Sequence, residues 1–156
     1  MQLTNMKMVL IVVSASILLL LGGAWWSSNS VKSDPDVISR SGIHWHPALT
    51  IYVKGVQQEI PANIGVGSQY VGTPGYDPQM RMAAVHTHDD MPIIHLEFMN
   101  GPVNKTDATL GQFFKIWRKD MRSFGTNMRM MVNGKENTEY ENYVMGDGDK
   151  IELHYD

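Results

Sequence analysis

Five of the chain's six histidines fall between residues 44 and 95. Four of them form two His-x-His pairs, His44-Trp45-His46 and His86-Thr87-His88, and His95 repeats the spacing with a carboxylate at Glu97. In an extended strand residues i and i+2 point to the same side, so each pair offers two donor groups from one face. Neutral imidazole is a common nitrogen ligand of zinc, copper, nickel and iron. The pattern predicts a transition-metal site built from His44, His46, His86, His88, His95 and Glu97. Asp89, beside the second pair, is a further ligand or a carboxylate that orients an imidazole. The sixth histidine, His154, stands alone on the polar side of a C-terminal strand and is expected to be ordinary surface. The competing reading is structural: histidines bonded to Asp89, Asp90 and Glu97, with no ion.

The chain has no cysteine, which excludes disulfides, thiolate ligands and thiol catalysis. Imidazole and carboxylate without thiolate suit Zn²⁺ or Cu²⁺, and the affinity order of the divalent ions favours copper. Met80, Met82 and Met91 flank the histidine segment, and Met128, Met130 and Met131 sit in a later strand. Thioether favours Cu(I), although core packing is the ordinary work of methionine. A copper or zinc ion is the expected cofactor, copper first. The net charge of −3 provides no broad basic field, so nucleic acid is not an expected partner.

The elements that must position these groups are mostly strands. Residues 48–54 alternate, with Leu49, Ile51 and Val53 on one face, the pattern of a half-buried strand. Residues 56–66 read as its return strand, and 67–80, rich in Gly and Pro, as a long loop of the functional kind. Residues 83–88 and 92–98 read as two short histidine-bearing strands. Thr109 and Gln112 have capping-box spacing. Leu110, Phe113, Phe114, Ile116, Trp117 and Met121 then line one face of a helix that Gly125 terminates. Residues 128–132 run into Asn133-Gly134, a hairpin signal. The turn Gly146-Asp147-Gly148-Asp149 leads into a last strand with Ile151, Leu153 and Tyr155 inward.

Upstream, residues 8–26 hold nineteen residues without a charge, with Lys7 before them and Trp25-Trp26 at their end. A helix of ~20 apolar residues spans a bilayer, and interfacial aromatics and the lone flanking cation favour N-terminus in. The expectation is a retained anchor rather than a cleaved signal peptide. It divides the chain into a cytoplasmic N-terminus (1–7), a transmembrane helix (8–26), a polar linker (27–41) and an extracytoplasmic metal-binding domain (42–156). The location is then the cell membrane, single-pass, and an integral-membrane complex is a candidate partner.

The stretches ALTIYVKG, TLGQFFKIWRKDM and MRMMVNGKENTEYENYVMGDGDKIELHY together resemble the β-grasp (ubiquitin-like) fold. That resemblance implies an α+β domain: a mixed sheet crossed by one helix, here with a histidine-bearing β insertion. The chain ends in Tyr155-Asp156 rather than in the Gly-Gly tail of sulfur carriers, so only the fold is implied. The segments HWH, IPANIG, HTHD, IHLE and TLGQFF also resemble a group of small extracytoplasmic proteins of archaea and bacteria. Over most of residues 42–117 this implies metal-site histidines at these positions. The function expected is metal binding by a carrier or an accessory subunit of a membrane metalloprotein. The alternatives are a small metal-dependent enzyme, with Glu97 or Asp89 as general base, and a metal-free docking domain.

Overall fold

The computed structural model describes residues 12–23, 34–89 and 91–156. The chain divides into two compact units, Met1–Asp34 and Pro35–Asp156. In the first, residues 12–23 form a helix, α1. Among the described residues no helix is long and apolar enough to cross a membrane. The expected single-pass anchor over 8–26, and the cell-membrane location with an extracytoplasmic domain that followed from it, are corrected on this ground. Residues 1–11, with the expected cytoplasmic segment, lie outside the described residues, as do 24–33 and Asp90.

Among its described residues the second unit contains ten strands: β1 (Val37–Ser39), β2 (Ile43–Trp45), β3 (Ala48–Val53), β4 (Val56–Gln58), β5 (Val85–His86), β6 (His95–Phe98), β7 (Val103–Asn104), β8 (Arg129–Val132), β9 (Lys135–Asn137) and β10 (Lys150–Tyr155). One helix, α2 (Leu110–Trp117), lies between β7 and β8. The strands form three sheets, ordered β1-β7, β4-β3-β10-β8-β9 and β2-β6-β5. In the largest, β10 runs parallel to β3 and antiparallel to β8. The expected α+β architecture, a β-grasp-like sheet crossed by one helix and preceded by a membrane span, is thus corrected to a mixed α/β arrangement with two helices and several sheets. The physical reason lies in the pairing: β2, β5 and β6 bond to one another and close a sheet of their own instead of extending a single sheet. Val37–Ser39, expected within the linker, pairs with β7.

Alternation sets the core. Leu49 and Ile51 of β3 and Ile151, Leu153 and Tyr155 of β10 are buried, and Leu110, Phe113, Phe114 and Ile116 of α2 pack into the same cluster. Val85 and Leu96 of the small sheet, with Ile94 just before β6, join that cluster, which leaves the opposite face of β2-β6-β5 for the histidines. Thr109 caps α2, its hydroxyl accepting from the Gln112 N–H at 3.2 Å. The helix is shorter than its apolar stripe suggests. Arg118 turns left-handed (φ 60°), and its N–H closes on the Lys115 and Phe114 carbonyls. Asp120 then caps a separate 3-10 turn, Met121–Phe124, by accepting from Arg122 N–H, the competition with helix that short polar side chains offer. At the β8–β9 hairpin, Asn133 (φ 52°) and Gly134 (φ 76°) are both left-handed, as a type I′ turn requires.

Candidate metal centre

The small sheet converts sequence spacing into a two-dimensional lattice. β6 is its middle strand and carries His95 and Glu97 two residues apart. Across the ladder to β2, Glu97 faces His44, and across the ladder to β5, His95 faces His86. Directly opposed residues of an antiparallel pair share a face, with Cβ atoms about 5 Å apart. His46 lies one residue beyond the end of β2 and His88 two residues beyond the end of β5.

The ring positions agree with that lattice. His44 and His46 have centroids 4.8 Å apart, and His46 and His95 5.0 Å. His88 lies 4.7 Å from His86 and 4.9 Å from His95, and His86 lies 5.3 Å from His95. All five imidazoles thus form one chain of ring contacts. The Glu97 Oε1 atom stands 3.3 Å from His44 Nε2 and 3.4 Å from His95 Nδ1. Among the described residues the donors that can share an ion form two groups, His44/His46/Glu97 and His86/His95/Glu97. His/Glu groups able to bind a metal are therefore present.

Burial grades across the cluster. His44 is 65% exposed in its side chain, His95 12% and Glu97 19%, and His86 is 1% exposed. Burial lowers the His86 pKa to about 4; the Glu97 charge opposes this, His88 and His95 add to it, and the bond to Ala83 opposes it. His86 is therefore neutral at pH 7. Its Nδ1–H donates to the Ala83 carbonyl at 2.9 Å, which leaves Nε2 with its lone pair directed at the cluster, 3.2 Å from His88 Nε2. A backbone carbonyl that selects the tautomer in this way is the usual support of a metal-binding imidazole.

The supports come from the IPANIG loop and from the turn before β10. Thr87 is fully buried. Its hydroxyl donates to the Pro61 carbonyl at 3.0 Å and accepts from Ile64 N–H at 3.1 Å. Gly65 sits at φ +81°, and a Cβ there would lie 2.5 Å from the Val85 carbonyl oxygen and 2.9 Å from His86 Cβ. The loop packs this closely behind His86 only because residue 65 has no side chain. On the other side, Asp147 accepts from the His46 backbone N–H at 2.9 Å, and its carboxylate lies 3.9 Å from His46 Nδ1.

Of the residues expected from sequence, His44, His46, His86, His88, His95 and Glu97 come together. Asp89 does not join them: it is exposed and belongs to neither donor group. His154 pairs with Glu152 at 3.0 Å and stacks on Tyr52 in the large sheet. Asp147 and Thr87 were not expected as site residues. A cleft of about 520 Å³ opens beside the cluster, walled by His86, Glu97, Tyr76, Asp77, Met80 and Met82, among others. Met91 instead packs against the core. No family model matches this chain, no curated protein matches it, and no solved structure matches it.

Proposed function

We propose that this protein holds a transition-metal ion, copper in preference to zinc, as a carrier or as the metal-bearing accessory of a larger metalloprotein. One observation carries the reading: four imidazoles, His44, His46, His86 and His95, gather around Glu97 in two groups, with His88 against His86 and His95. Isolated surface histidines have no reason to occupy adjacent rows of one sheet face. Copper is favoured because nitrogen donors bind Cu²⁺ more tightly than Zn²⁺, and because Met80, Met82 and Met99 line the cleft at His86 and Glu97, where thioethers suit Cu(I). Titration of the full-length protein with Cu²⁺ and Zn²⁺ tests this. Chelator-reversible binding, tighter for copper, is expected; a wild-type protein that takes up neither ion rejects it.

The same cleft favours a second reading, a small metal-dependent enzyme. Its wall includes two donors of the buried group, so a small molecule lying there would reach the open position of an ion. An exchangeable water on the bound ion supports this version. A coordination sphere closed by protein donors supports the carrier.

A further inference from the structure

The donor set is larger than one ion needs. Five imidazoles and Glu97 make six donors, whereas an ion in a tetrahedral protein site takes four. Nor do they form a single group: the two groups able to share an ion have Glu97 as their common member. An ion with bonds of about 2.0–2.1 Å to tetrahedral donors sets those donors about 3.3 Å apart. Three pairs stand near that separation: His44 Nε2–Glu97 Oε1 at 3.3 Å, His95 Nδ1–Glu97 Oε1 at 3.4 Å and His86 Nε2–His88 Nε2 at 3.2 Å. The first two are edges that meet at one oxygen, with His44 on one side of Glu97 and His95 on the other.

We infer that the cluster is a dinuclear centre, two divalent first-row transition-metal ions bridged by the Glu97 carboxylate. This rests on the metal-binding reading above and deepens it. The outer ion takes His44, His46 and Glu97. The inner ion takes His86, His95 and Glu97, with His88 against His86. Each ion then has three or four protein donors, and a carboxylate bridge holds such pairs about 3.5–4 Å apart. Charge is balanced in part by Asp147 beside His46 and by Asp77 on the cleft wall. The two ions are unequal. The outer one sits among exposed donors and exchanges readily, whereas the inner one is held by the buried His86 and released last.

Stoichiometry and coupling test the centre. Full-length protein is loaded with excess ZnCl₂, desalted and assayed for zinc by elemental mass spectrometry. Two ions per chain in the wild type, and one in His44→Ala/His46→Ala or in His44→Ala alone, support it; the single variant sits at an exposed position that folding does not need. One ion in the wild type overturns the pair and leaves the metal-binding reading standing; none with ZnCl₂, and none when the same loading is repeated with CuCl₂, overturns both. Two ions retained in both variants overturn the assignment of the outer donors. The bridge is read with Cu²⁺ by electron paramagnetic resonance. A dipole-coupled spectrum in the wild type, replaced in Glu97→Gln by isolated-ion signals or by a single ion, supports it. Two copper ions with isolated-ion spectra in the wild type overturn it.

Discussion

His86 and His95 face one another across the β5–β6 ladder with ring centroids 5.3 Å apart and planes only 15° from parallel. Two imidazolium rings in that position would repel, so at least one ring must be neutral. Burial assigns the neutral state to His86, the state in which an imidazole binds a metal. His86 is therefore ready as a donor without waiting for a proton to leave.

A pH dependence follows for the metal-free protein. The unfolded chain protonates His86 near its ordinary value of 6.5, the folded one near 4. Between these the unfolded state binds more protons, so stability is whole above the upper value and falls as pH drops towards the lower one. The full effect is about 3 kcal/mol. Urea midpoints across this window should fall with acid in the wild type and fall less in His86→Gln; equal slopes in the two proteins argue against the assignment.

Metal loading should stabilise the fold. An ion present at a hundred times its Kd adds about 2.7 kcal/mol, which raises the thermal midpoint of a domain this size by roughly 10 °C. Differential scanning fluorimetry with added Cu²⁺, then with excess chelator, measures the rise and its reversal. A midpoint indifferent to both would instead mark the sheet face as a metal-free docking surface.

Thr87→Val removes a buried hydroxyl while keeping its shape. Ile64 N–H and the Pro61 carbonyl each lose a partner, at a cost of about 1–3 kcal/mol. The loop behind His86 loosens with them, so metal affinity should fall as well. Chemical denaturation and ion titration on the same variant separate the two effects; affinity unchanged at full occupancy would show that the loop supports the fold alone.

Asp147→Ala should weaken binding at the His44/His46 end by about tenfold, the usual scale for losing a group that orients a ligand. Binding at the His86/His95 end should not move. Competitive titration against a chelator of known affinity resolves the two.

The sequence revealed the donors better than their neighbours. The i, i+2 spacing of each histidine pair survives any placement of its strand, so both pairs and His95/Glu97 were legible. That Glu97 faces His44 while His95 faces His86 depends on ladder register, which nothing local encodes. Asp89 was expected at the site because it adjoins His88 in the chain, but the backbone turns there and leaves it in solvent. Asp147 was hidden by distance, 101 residues from His46. It arrives because β10 runs parallel to β3 with Lys150 opposite Ala48, which sets the preceding turn beside His46. The stripe from Leu110 to Met121 overran the true helix because Arg118 and Asp120 interrupt the backbone without breaking the apolar pattern.

The histidine-bearing sheet is built from strands of three, two and four residues. So few rungs hold a ribbon only weakly against fraying. Ions held by the two proposed donor groups would tie all three strands together. Their loss and the slackening of β5 would then be a single event, which amide protons there should report.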